Sequence, residues 1–337
     1  MALQHASALI RRTSGNTNTS KEVTSHLSPL AAALAGLDDR YAIPSFDEMR
    51  RDALASLILA SPVKVGPWIA HAFYTGDYGL SQRGMLLTSL GLAARELAGL
   101  EAAPPAQPST QLPPHISSVW GSKHDPISAL SSSLARTYLT PLALHAADTL
   151  TGPRVLKVHT FSSRLSVAAR TSAPSHRKIL DVAPYFVLPL TGGWSIAARD
   201  HGGSQPHADP SLLVHLLNTL SVILHAAGPA APGLVGMTSE VLELSLSLRG
   251  TTDNSIREAT LLAVLNALEV NLAAERGARG VAEEYGALLA EWKGFVERWV
   301  EGGGERTRAL AAGVLVRIGE VEEGCRRVLF GGLGVEE

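Results

Sequence analysis

Twelve histidines and a single cysteine limit the chemistry open to this chain of 337 residues. His201 and His207 flank the run HGGSQPH. His-Gly-Gly is how an esterase oxyanion loop begins, but that mechanism also needs a nucleophile elbow, Gly-x-Ser-x-Gly, and the sequence has none. His215 and His225 lie ten apart, not one helical turn apart as a zinc pair requires. No HExxH, P-loop, GxGxxG or CxxC occurs. Gly302-Gly303-Gly304 runs into Glu305, the wrong charge to cradle a phosphate. Cys325 stands alone, so neither a thiolate metal site nor an internal disulfide can form, and a reducing compartment is expected. The expectation is a protein with no catalytic, cofactor-binding or metal site.

The chain is 45% apolar and only 5% aromatic, with a net charge of −2. Alanine and leucine at that proportion suit thin helix–helix contacts and not a strand-rich core. The stretch around which the rest is organised is Gly76 to Gly99. A turn, Gly76-Asp77-Tyr78-Gly79, leads into a helix predicted over 80–98. Leu86, Leu90, Ala93 and Leu97 form its apolar stripe, and Gln82, Ser89 and Glu96 a polar side. Gly84, Thr88, Gly91 and Arg95 form a third line. Each internal glycine costs about 1 kcal/mol against alanine, so Gly84 and Gly91 are expected to admit a neighbouring backbone. Arg95 suits the helix dipole, and Gly99 should end the helix.

Residues 1–40 read as a mostly disordered tail, Ser/Thr/Asn-rich over the first 25 or so, with a short helix beginning near Ser28. A helix from Pro44 carries a capping box, Ser45 with Glu48, and its partner runs from Pro62 to Tyr74. Residues 41–160 make a first helical region interrupted by a Pro-rich loop, 101–125, after which a helix is expected over 126–150. Residues 181–333 make a second. Its helices are expected at 181–190, 209–227, 233–249, 254–274, 281–300 and 304–330, with Gly-rich breaks at 192–203, 228–236 and 301–304. Leu212–Gly228 is interrupted by His215, Asn218, Ser221 and His225, so a buried helix is expected and not a membrane span. Asp47…Arg51-Asp-Ala53 aligns with Asp253…Arg257-Glu-Ala259. An acid capping a helix, with an arginine one turn inside that pairs with the next repeat's acid, is a HEAT-type pattern. Ser255 and Glu258 add a second capping box. The fold class is therefore all-α: a HEAT-like α-α superhelix of stacked helix pairs with two long loops.

Residues 152–180 carry Arg154, Lys157, Arg164, Arg170, Arg177 and Lys178 and no acid until Asp181. Three readings fit: a solvated loop, a docking segment for an acidic protein face, or a nucleic-acid contact with only Phe161 to stack.

The run Asp77-Tyr78-Gly79-Leu80-Ser81-Gln82-Arg83, followed by a leucine-rich helix and Ala93-Ala94-Arg95-Glu96-Leu97, resembles the conserved C-terminal domain of the telomere length regulation protein family, fungal branch. Two further stretches carry the same resemblance in order: Arg154-Val-Leu-Lys-Val-His-Thr-Phe-Ser-Ser-Arg164 and Phe186-Val-Leu-Pro-Leu-Thr-Gly-Gly-Trp194. It extends over residues 41–330 and implies an α-solenoid scaffold without catalysis. Such a scaffold joins two other helical-repeat subunits in the triple-T co-chaperone complex. With the ninety-kilodalton heat-shock chaperone, that complex matures phosphatidylinositol-3-kinase-related kinases in cytoplasm and nucleus. Telomere maintenance and DNA-damage and nutrient signalling follow from those kinases. Family members are much longer, so the chain looks like a C-terminal half, and the family's acidic serine motif for adaptor docking is absent from it. Tyr78, Gln82 and Arg83 stand as candidates for partner contact or for the fold, and Arg154, Lys157 and Arg164 for partner contact. Gly84, Gly91, Arg95, Asp253 and Arg257 are expected to be structural. The alternative from a different class is a telomeric nucleic-acid-binding protein acting through the basic loop.

Overall fold

The structure, a computed structural model, describes residues 2–14, 25–100, 181–199 and 209–331. The Pro-rich loop, the helix expected at 126–150 and the basic run with Arg154, Lys157 and Arg164 lie outside the described residues, as do His201 and His207. The described residues form eleven α-helices and one π turn, with no strand among them. In chain order these are α1 (Ala2–Ser14), α2 (Leu27–Gly36), α3 (Phe46–Ala60), α4 (Pro62–Thr75) and α5 (Leu80–Leu97). The π turn Ala183–Val187 then opens α6 (Leu188–Arg199), followed by α7 (Pro210–Ala227), α8 (Leu234–Ser247), α9 (Asn254–Leu272), α10 (Gly277–Gly302) and α11 (Glu305–Gly331).

Packing sorts the helices into two rows. The odd-numbered helices pack each on the next, α1 on α3 and so on to α11. The even-numbered ones do the same from α2 to α10. Two apolar clusters result, and α9 has a face in each: Ala259, Ala263 and Ala267 in the first, Leu261, Val264 and Leu268 in the second. Helix α5 likewise packs on both α3 and α7. Its Leu86 and Leu90 are fully buried, each contributing roughly 1.5–3 kcal/mol. Helix α7 alone among the described helices is long and apolar enough to cross a bilayer. It is packed between α5 and α9, with Leu216, Leu217, Leu220 and Leu224 in the first cluster.

Several expectations need correction. Residues 2–14 are helical: α1 buries Ile10 against the first cluster. Its Arg11 donates from Nη2 to Glu96 at 2.8 Å and from Nε to Ser56 at 3.0 Å. The supposed polar side of α5 is thus covered, with Ser89 fully buried and bonded back to the Met85 carbonyl. Gly192-Gly193 does not break a helix but lies inside α6. A Cβ at Gly193 would sit 2.3 Å from the Tyr74 ring, and one at Gly66 would sit 2.4 Å from the Tyr185 carbonyl oxygen. These are the two glycines that let α4 and α6 approach. Gly84, by contrast, faces open space, and Gly91 has only ordinary contacts with Thr219 and Val222.

The capping boxes also fail. Ser45 is the N-cap of α3 but adopts the left-handed conformation (φ 59°), and its hydroxyl makes no capping bond. Asp47 lies inside the first turn and holds Arg50 at 3.1 Å. In α9 the cap is Asp253, accepting from the Ser255 amide at 2.8 Å. The recurrent device is Asp-x-Ser, seen again where Asp209 accepts from the Ser211 amide. Arg257 donates within its own repeat, to the Thr251 carbonyl at 2.9 Å, and lies over the Trp299 ring. No ion pair of Arg257 with a neighbouring acid is seen among the described residues; its guanidinium is engaged by that carbonyl and ring.

Gly193→Ala and Gly66→Ala should each lower stability by about 1–3 kcal/mol, through overpacking against groups that cannot move aside. Gly84→Ala should raise it by up to about 1 kcal/mol. Thermal melts of the three variants check this ordering.

Candidate functional site: the turn from Gly76 to Arg83

The signature residues sit where the chain leaves α4 and enters α5. The last turn of α4 exposes backbone carbonyls that no amide of the helix can reach. Arg83, in the first turn of α5, turns back on them. Its Nη1 donates to the Phe73 carbonyl, its Nη2 to Gly76 and its Nε to Tyr78, each at 2.9 Å. Only 5% of Arg83 is exposed. Burial pushes its guanidinium pKa down from the ordinary value, with the Asp77 carboxylate opposing that shift. All three bonds are to neutral carbonyls of the same turn, so the guanidinium is committed to the fold. The sequence left this residue open between fold and partner; here its Nη1, Nη2 and Nε serve backbone carbonyls of the turn.

Gln82 has a related duty. Its carbonyl oxygen accepts from the Gly79 amide at 3.0 Å, capping α5, and its amide donates to Asp38 at 3.1 Å. The Tyr78 ring covers Gly76, where a Cβ would meet it at 2.4 Å. At the far end of α5, Gly99 takes φ 66°. Its amide bonds the Glu96 carbonyl at 2.8 Å and that of Leu100 bonds Arg95 at 2.9 Å, closing the helix with the paired bonds of a Schellman motif. Arg95 is exposed in that last turn.

The second legible motif behaves the same way. Phe186, Val187, Leu190 and Trp194 are buried, and the Tyr74 hydroxyl donates to the Leu190 carbonyl at 2.7 Å. Burial raises the pKa of that phenol well above its ordinary value. Among the described histidines, His215 makes a cross-helix contact: its Nε2 lies 2.8 Å from the Thr88 hydroxyl, which itself donates to Gly84. His225 is exposed on α7. Among the described residues no group of three His, Cys, Asp or Glu could hold a metal ion.

What sequence reasoning missed is the loop 37–45 beside this turn. Asp39 Oδ1 accepts from the Ile43 amide at 3.0 Å and the Tyr41 amide at 3.3 Å. Buried Arg50 donates to the Leu37 carbonyl. Ala42 and Ser45 are the non-glycine residues at positive φ among those described. A dipeptide-level signal existed in Asp38-Asp39 followed by Pro44, a turn composition.

The profile of the telomere length regulation protein family matches residues 1–94, which end within α5. A DNA replication checkpoint protein of Schizosaccharomyces pombe is 26% identical over 94% of this chain and 35% of its own length. The telomere length regulation protein homologue of Xenopus tropicalis is 26% identical over 75% of this chain and 28% of its own. That of Mus musculus is 25% identical over 71% and 26%. The chain thus spans about a third or less of the length of these relatives. No solved structure matches it.

Arg83→Ala should cost about 3 kcal/mol or more, since it strands buried carbonyls. Arg83→Lys should recover little of this, because an ammonium cannot serve three diverging acceptors in one plane. Chemical denaturation measures both. His215 gives a pH prediction. Burial holds its imidazole pKa below the ordinary value, with the Gly84 carbonyl opposing. The unfolded chain therefore binds a proton that the folded protein resists. Stability from this residue is full above about pH 6.5 and is lost as pH falls from there through the depressed folded pKa. His215→Gln should flatten that loss in melts taken across the range.

Proposed function

The chain belongs to the telomere length regulation protein family, and from that membership we propose that it is a non-catalytic α-solenoid scaffold acting as a co-chaperone subunit. In this reading it joins two other helical-repeat proteins and, with the ninety-kilodalton heat-shock chaperone, supports maturation of phosphatidylinositol-3-kinase-related kinases in cytoplasm and nucleus. Telomere length regulation and the replication checkpoint, the roles in its relatives' names, would then follow from those client kinases. The observation that carries the reading is the packing of the described helices in two rows, odd on odd and even on even. Stacked helix pairs of this kind bury one another along a shared seam and leave extended rims free for partners.

The signature residues strengthen it by what they are used for. Arg83, Gln82 and the motif around Trp194 hold helix ends and helix contacts. In this chain these residues set how neighbouring helices meet, as a scaffold requires. Co-purification tests the proposal: tagged chain should bring down helical-repeat partner subunits and at least one kinase of that group. Recovery of neither overturns it.

The basic run supports a second reading as a nucleic-acid contact, since Arg154, Lys157, Arg164, Arg170, Arg177 and Lys178 fall within 30 residues without an acid. Phosphate binding would show a steep fall of affinity with salt, from counterion release. Absence of a gel shift at low salt removes it. Under the scaffold reading, reversing Arg154, Lys157 and Arg164 to glutamate should leave the melt unchanged and lower partner recovery. A melt as damaged as that of Gly193→Ala would contradict this.

A further inference from the structure

The loop between α2 and α3 spends bonding capacity to keep an aromatic residue in water. Tyr41 is 86% exposed, the most of any large hydrophobic residue described, and Leu37 and Ile43 on either side are 39% and 41% exposed. A loop of that composition would ordinarily collapse so that the ring found cover. Four anchors prevent it. Asp39 fixes the Tyr41 and Ile43 amides. Arg50, buried beneath Phe46, holds the Leu37 carbonyl. Gln82 reaches from α5 to hold Asp38 at 3.1 Å. Ala42 keeps φ at 49°, a conformation that favours glycine, immediately after the tyrosine. An exposed, pre-ordered tyrosine flanked by aliphatics has the make-up of a binding hot spot, because its ordering entropy is already spent.

Charge narrows the occupant. Asp38, Asp39, Asp47, Glu48 and Asp77 are exposed on the loop, on the start of α3 and on the turn before α5. Arg40 is the one exposed cation in 37–48 and 76–82, since Arg50 and Arg83 are buried in bonds to the backbone. The exposed rim is therefore net negative around an apolar centre, with Asp47 paired to buried Arg50 and partly exposed Arg51 beside it. We propose that the loop 37–45 is a docking element whose Tyr41 enters an apolar pocket rimmed by lysine and arginine on a helical-repeat partner subunit. The inference rests on the scaffold reading above and adds to it a specific surface and a partner chemistry. Electrostatic attraction at such a rim speeds and orients the encounter, and the ring supplies the anchor.

The experiment co-expresses the full tagged chain with the helical-repeat subunits of its own source and reads their recovery. Tyr41→Ala should melt like the wild type and lower recovery about tenfold or more. Tyr41→Phe should retain it. Glu48→Lys should lower it at low salt and make its fall with rising salt shallower, because less attraction is left to screen. A photo-crosslinking benzoylphenylalanine at position 41 should attach to apolar residues flanked by Lys or Arg on one of those subunits. If wild type and Tyr41→Ala recover the subunits equally and position 41 gives no adduct with them, the docking inference falls while the scaffold reading stands. If the wild type recovers no subunit, both fall. An adduct with nucleic acid, or with acidic protein segments only, also overturns it.

Discussion

A two-row array must turn the chain around after every helix, and each turn strands carbonyls at a helix end. Arg83 solves this between α4 and α5 by collecting three of them with one planar group. The consequence reaches beyond the turn. Fixing the Gly76–Tyr78 carbonyls to the first turn of α5 fixes the angle at which α5 leaves α4. That angle is what lets Leu86 and Leu90 face α3 and α7 together. A neutral residue here would leave the turn free to choose among conformations, and the odd row would lose its register at its middle. The buried cation is affordable because all of its bonding edges used here meet backbone oxygens.

The even row depends on closeness instead of capping. Tyr74 lies against the backbone of Gly193 while its hydroxyl reaches the Leu190 carbonyl, so the ring is fixed at both ends. Opposite, Gly66 accepts the Tyr185 carbonyl of the π turn. A π turn widens the helix by a residue and pushes that carbonyl outward, which is why the partner position must lack a Cβ. Glycine, tyrosine and π turn are one packing unit made from two segments more than a hundred residues apart in sequence.

The helix boundaries were legible because their signals are local. Alternating Leu and Ala at helical spacing, Asp before the start and Gly after the end place α5, α7, α8 and α9 within a few residues of where they lie. What could not be read were choices decided by a distant partner. Gly192-Gly193 carries a break signal, and only the Tyr74 ring converts it to a helix interior. The N-terminal helix buries one aliphatic, Ile10, with Leu3 and Ala6 only partly covered. Its place is secured by Arg11 reaching Glu96, an ion pair no spacing rule foretells. Gly84 was misjudged for the opposite reason: the cost of a helical glycine implies a purpose, but the space beside it is open. The same limit applied to Arg83, whose charge suggested a partner while its acceptors lay one turn behind it.

These contrasts bear on where function can reside in such a chain. Several residues conspicuous in type, Arg83, Gly66, Gly193 and Tyr74, are consumed in making one helix fit the next. Helix α9 shows the extent of this: its two apolar faces serve two clusters, so little of its circumference is spare. Neighbour-to-neighbour packing thus runs through both apolar clusters, the first of which extends from α1 to α9. A residue held out of the packing at evident cost is therefore more informative about partners than one buried in it. By that criterion the Tyr41 loop, ordered by four separate bonds yet left in solvent, says more about what the protein meets than does the conspicuous turn beside it.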